Sequence, residues 1–112
     1  MLDSIGGPNH VNNFAAAPVM IDYRNDIIYY TPYYYVLKQF SRSMRPGDVV
    51  LSCQPSEISD QIFVCATKNG EVQIAVNILN TGEAISFPLQ VGEYTATVEM
   101  PANSVETILV KL

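Results

Sequence analysis

Apolar residues recur every three or four positions from Tyr33 to Met44 and then, past Gly47, every second position almost to the C-terminus. The first spacing is that of one helix face and the second that of half-buried strands. Tyr33, Val36, Leu37, Phe40 and Met44 form the helical stripe, Thr31 is placed to cap it, and Pro32 takes the first turn, where a missing N–H costs nothing. Arg45-Pro46-Gly47 stops it, which predicts a helix over about 32–45. Strand patterns follow at Val49–Cys53, Ile62–Thr67, Val72–Ile78, Ala84–Leu89, Tyr94–Met100 and Val105–Leu112. Asn69-Gly70 joins the second to the third as a hairpin, with both residues expected at positive φ. Pro88 marks an edge or the end of its strand. Ahead of the helix, Val19-Met20-Ile21 and Ile27–Tyr30 flank a turn at Arg24-Asn25-Asp26, giving a short hairpin. The first 17 residues, with Gly6-Gly7-Pro8 and three asparagines, read as irregular loop.

Six short strands at this spacing predict an antiparallel β-sandwich over 48–112, preceded by a loop and one α-helix over 1–47; the fold class is mainly β. The third strand is apolar on both sides, with Val72, Ile74, Val76 and Ile78 on one and Ala75 and Leu79 on the other. One side needs cover beyond the opposing sheet. The chain by itself should therefore expose apolar helix surface and an open sheet edge, and self-association would cover them.

The balance of 11 acidic against 6 basic residues, a net charge of −5, disfavours nucleic acid and anionic membrane surfaces as partners. No apolar run approaches the roughly 20 residues of a membrane helix, and no signal-peptide pattern is visible at the start. Cys53 and Cys65 stand in strand-like surroundings, where a buried free thiol is the commoner state and a cross-strand disulfide the alternative. At 112 residues there is room for one modest core but not for a barrel of about 250 residues.

Gly6-Gly7-Pro8-Asn9-His10-Val11-Asn12-Asn13-Phe14, then Pro18-Val19-Met20-Ile21-Asp22, Phe40-Ser41-Arg42, Arg45-Pro46-Gly47 and finally Pro101-Ala102-Asn103-Ser104-Val105-Glu106-Thr107 form an ordered series of blocks. The series resembles the end of glycoside hydrolase family 30, the family of lysosomal glucosylceramidase and bacterial β-1,6-glucanases. The resemblance implies that residues 1–47 are the last strand-to-helix loop and helix of a (β/α)₈ barrel, and 48–112 the C-terminal sandwich fused to it. It implies a parent that hydrolyses β-linked glucosyl substrates with retention, using two glutamates on earlier barrel strands outside this sequence. A parent of that kind is expected to be secreted, periplasmic or in the cell envelope. The partners implied are the catalytic barrel itself and the parent's carbohydrate or glycolipid substrate.

Asn13 is the residue the resemblance places at the sugar pocket, where an amide can both donate to and accept from a hydroxyl; Phe14 and Asn12 are its neighbours. Read without the resemblance, these asparagines only make local turns. Ala15 departs from the Cys found in many relatives. His10, the sole histidine, lacks the companions of a metal site, and no cofactor or metal is expected. The carboxylates are scattered and read as solvated. Tyr29, Tyr30, Tyr33, Tyr34 and Tyr35 could stack on sugar, but a helix with this stripe more commonly buries such rings. By itself the chain is expected to be catalytically inert. The competing reading is a stand-alone carbohydrate-binding or assembly sandwich, for which Tyr94 and Phe87 are the main aromatic candidates.

Overall fold

A computed structural model describes residues 2–3, 15–54 and 60–112. The chain divides into two compact units, Met1–Lys38 and Gln39–Leu112.

In the first unit, β1 (Leu2–Asp3) pairs in parallel with β2 (Val19–Asp22), and β2 pairs antiparallel with β3 (Ile27–Tyr30). The β2–β3 turn is built on Asp22, whose carboxylate accepts the Arg24 amide at 3.0 Å and the Asn25 side-chain amide at 2.8 Å. Asp26 then takes φ 56°, the left-handed region that Asp tolerates better than most residues. Thr31 ties the end of β3 back to the start of β2. Its amide donates to the Pro18 carbonyl at 3.0 Å, and its hydroxyl, expected at the helix cap, points to the Ala17 and Pro18 carbonyls at 3.0 and 3.1 Å.

The helix α1 (Pro32–Ser43) begins at the proline and ends two residues short of the expected 45. The Met44 amide still reaches Phe40 O at 2.9 Å, but Pro46 has no N–H to continue and Gly47 turns the chain at φ 94°. Asp48 fixes this exit, accepting the Arg45 amide at 2.8 Å through one oxygen and the Asn69 side-chain amide at 2.8 Å through the other. On the helical apolar stripe Tyr33, Val36, Leu37 and Phe40 are exposed.

Gln39–Leu112 contains the sandwich. The strands β4 (Val49–Leu51), β5 (Ile62–Asn69), β6 (Gln73–Asn80) and β9 (Ser104–Lys111) form one antiparallel sheet in the order β4-β5-β6-β9. The chain leaves it to build the hairpin of β7 (Ile85–Val91) and β8 (Tyr94–Met100), a second, two-stranded sheet, and returns as β9. Alternation supplies one inner face to each sheet. Ala66, Val76 and Ile78 from the first meet Val98 and Met100 from the second, with Leu51, Ile62, Ile74, Ile85, Phe87, Leu89, Val91 and Ile108 around them. Pro88 sits mid-strand opposite Thr97, tolerated because β7 is an edge strand.

Three sequence expectations shift. The β5–β6 turn runs Gly70–Val72, with Val72 N donating to Asn69 O at 3.1 Å; Gly70 alone takes positive φ, 50°, while Asn69 stays in the strand. Val72, expected on the inner row of β6, is therefore a turn residue and 69% exposed. Cys53 and Cys65 are free, as weighed, but exposed instead of buried. Cys65 lies opposite Asn77 and so projects from the sheet face away from the core.

Candidate functional site

Asn12, Asn13, Phe14 and His10, the residues singled out for the pocket loop, lie outside the described residues. The described elements on either side define what that loop connects. β1 and β2 run parallel, with Leu2 opposite Met20 and Asp3 opposite Ile21. A loop at the C-terminal end of a parallel strand is where α/β barrels place substrate-contacting residues.

Downstream of that loop, Tyr23, Tyr29, Tyr30, Tyr33 and Tyr35 are exposed. They make no flat platform for a sugar ring: Tyr30 and Tyr34 meet at 4.7 Å with a 52° tilt, and Tyr35 stands edge-on to Tyr34 at 5.3 Å. Lys38 Nζ lies 5.8 Å over the Tyr34 ring and Arg24 lies 5.7 Å over Tyr23. The Asp22 carboxyl is held below the ordinary carboxylate range, first by the Asn25 side-chain amide; desolvation opposes this, and the Arg24 and Asn25 backbone amides and the Arg24 charge add to the lowering. That is turn chemistry on an exposed group. Among the described residues no three His, Cys, Asp or Glu side chains come together as a metal site.

In the sandwich, a shallow open depression is lined by Ala84, Ile85, Ser86, Glu99, Met100 and Pro101. Its single carboxylate and lack of aromatic rings give it neither a catalytic pair nor a stacking surface. Phe87 faces the core, leaving Tyr94 as the exposed aromatic of the β7–β8 hairpin.

The most organised polar constellation in the sandwich was not foreseen from the sequence. Asn77, 2% exposed in the middle of β6, donates through Nδ2 to Ser43 Oγ at 3.0 Å, and its Oδ1 accepts the Thr107 hydroxyl at 2.6 Å. Ser43, in the last turn of α1, donates to Gln39 O at 2.7 Å, and Thr107 Oγ1 also lies 2.8 Å from Gln39 Oε1. The end of α1 is thereby fastened to the face of the four-stranded sheet that points away from the core. The available signal was an asparagine interrupting an apolar strand at an outward position, together with a serine one turn before Gly47. A second knot centres on Asn80, fully buried, whose Nδ2 donates to Glu83 O and Pro101 O at 2.8 and 2.7 Å while its Oδ1 accepts the Gly82 amide at 3.0 Å. It joins the β6–β7 and β8–β9 connections. Both knots tie elements of the fold together.

Known proteins are similar to both parts of the chain. Residues 1–44 match the family model of the glycosyl hydrolase family 30 TIM-barrel domain. Putative glucosylceramidase 4 of Caenorhabditis elegans is 27% identical over 116 residues, covering 99% of this chain and 22% of that protein. Lysosomal acid glucosylceramidase of Mus musculus is 29% identical over 112 residues, covering 96% and 21%. The chain thus spans about a fifth of the curated relatives it matches. Among solved structures, SrfJ from Salmonella typhimurium superposes with a TM-score of 0.89 at 24% identity, over 99% of this chain and 25% of that one. The endo-β1,6-glucanase BT3312 gives 0.82 at 20% identity, over 95% and 24%. The fold is shared with both, and the blocks of sequence, the barrel-domain match and the glucosylceramidase relatives support a C-terminal region of glycosyl hydrolase family 30.

Proposed function

We propose that the chain is the closing part of a retaining O-glycosyl hydrolase acting on a β-linked glucosyl substrate, of the glucosylceramide or β-glucan kind. The observation that carries this reading is the match of residues 1–44 to a barrel domain, followed without interruption by a sandwich. Retaining hydrolysis needs two carboxyl groups about 5–5.5 Å apart, one as acid/base and one as nucleophile. In this reading both come from the preceding barrel. Asn13, flanked by Asn12 and Phe14, borders the sugar and hydrogen-bonds a hydroxyl, using the amide's capacity to donate and accept. The sandwich supports the barrel, and the Ser43–Asn77 hydrogen bond fastens the last turn of α1 to β6. The barrel is the chain's partner, and an extracytoplasmic setting suits such a parent.

The test is to read the coding sequence upstream of Met1 and to assay two polypeptides on a chromogenic β-glucoside. A frame continuing into a barrel, turnover with retained anomeric configuration by the complete polypeptide, and none by the 112-residue chain are the expected results. Asn13→Ala in the complete polypeptide should lower kcat/KM by about tenfold to a hundredfold, the loss of one hydrogen bond to a reacting sugar. Turnover by the 112-residue chain, abolished by changing one of its own carboxylates, would overturn the reading.

A further inference from the structure

Among the asparagines of the chain, Asn69 alone is followed by glycine. An asparagine side chain can be attacked at its carbonyl carbon by the backbone nitrogen of the next residue, and the attack is easiest where that residue has no Cβ to crowd it. Asn77 and Asn80 are protected twice over: both are buried with their amides engaged, and the residues after them, Ile78 and Thr81, are β-branched. Asn25 precedes Asp26 and Asn103 precedes Ser104. Asn69, the last residue of β5, and Gly70 are both exposed, and a Cβ added at Gly70 would meet nothing within 4 Å. Water and base, the two reagents of this chemistry, therefore have free access to the pair.

One contact works against the reaction. Asn69 Nδ2 donates to Asp48 Oδ1 at 2.8 Å, while Asp48 Oδ2 accepts the Arg45 amide at 2.8 Å. A five-membered ring does not fit an extended strand backbone, so Asn69 has to rotate out of β5 first, and this bond has to be released when it does. We propose that Asn69-Gly70 is a site of spontaneous deamidation in the folded chain and that Asp48 sets its rate. The Gly70 nitrogen gives up its proton to base and bonds to Asn69 Cγ. The Cγ–Nδ2 bond breaks and ammonia leaves with a proton from solvent. Water then opens the cyclic imide at either carbonyl, giving aspartate or isoaspartate, and nothing is oxidised or reduced. In the aspartate product a carboxylate stands where an amide donated, so two negative charges face each other at hydrogen-bond range. Because Asp48 also holds the Arg45 amide where the chain leaves α1, the modification loosens the exit of the helix.

The 112-residue chain is incubated at mildly alkaline pH, folded and in urea, and the peptides carrying Asn25, Asn69 and Asn103 are followed by mass spectrometry, which reads the exchange of an amide nitrogen for oxygen. In the folded chain Asn69 should convert ahead of the other two, at about a tenth to a hundredth of its rate in urea, as a turn that reacts by local opening does. Asp48→Ala should raise the folded rate about threefold to tenfold, the worth of one hydrogen bond, and leave the rate in urea unchanged. Asp48→Ser, which keeps one acceptor for the Arg45 amide and loses the oxygen that holds Asn69, should do the same, and circular dichroism verifies that each variant keeps its strands. Conversion of Asn25 or Asn103 ahead of Asn69, or a folded rate at Asn69 below about a thousandth of that in urea, overturns the site. A folded rate that neither Asp48 variant changes overturns the control by Asp48.

Discussion

Asn77 and Thr67 occupy the same outer face of the sheet and make opposite demands on it. Asn77 is buried with both ends of its amide engaged, so removing it strands the Ser43 and Thr107 hydroxyls in a dry site. Asn77→Ala should destabilise the chain by about 2–3 kcal/mol, the cost of two lost hydrogen bonds and partners left under-satisfied. Equilibrium urea unfolding measures it as a fall in midpoint at constant slope. Thr67 is 5% exposed, and its hydroxyl has no hydrogen-bond partner among the described residues. Thr67→Val keeps the shape and the β-branched preference for a strand while removing a polar group that gains nothing by burial. It should raise stability by about 0.5–1 kcal/mol in the same measurement. A neutral or negative result would mean that the hydroxyl is satisfied by water.

The β2–β3 hairpin is built on a carboxylate, and its turn should respond to pH. Asp22 holds the turn as a carboxylate, with its acidity strengthened mainly by the Asn25 side chain. A carboxyl whose folded pKa lies below its unfolded value stabilises the fold above the unfolded pKa, and that contribution is lost as pH falls through the folded one. The turn should therefore hold at neutral pH and loosen in acid, and Asn25→Ala should move the Asp22 titration back up toward the ordinary value of about 3.9. NMR titration of the Asp22 carboxyl carbon in both forms checks this. The element scale also shows what local pattern could reveal. Helix α1, the six sandwich strands and the edge character of β7 were legible because stripe, alternation and Pro88 are local signals. The positions of Asn69, Gly70 and Val72 were not, since one residue of register decides which of them takes positive φ, and register is settled by pairing with β6 and by the Asn69–Asp48 contact. Asn77 was missed for a related reason: its partners Ser43 and Thr107 are 34 and 30 residues away, and a spacing rule sees no such pair. The reading of Asn12, Asn13 and Phe14 as pocket residues rests on family blocks alone, because by themselves they read as turn residues.

For the molecule as a whole, the 112-residue chain carries more apolar surface than its own core can use. Its small sandwich core is complete, yet Phe63, Leu109 and Val50 stand open on one face of the four-stranded sheet. In water such a patch drives association, and a net charge of −5 opposes it only weakly once salt screens it. The chain by itself should therefore associate with increasing concentration at physiological salt, and sedimentation velocity reads this directly. Phe63→Ser with Leu109→Ser should shift the distribution to monomer. Because both side chains are already more than half exposed, the paired change should alter the chain's unfolding free energy by no more than about 1 kcal/mol. The combination separates two uses of an apolar side chain. A residue of the chain's own core would lower stability when made polar and promote association through unfolding, whereas an exposed apolar residue made polar lowers association and leaves stability nearly untouched. Monomer at all concentrations before any substitution would show that the face tolerates water.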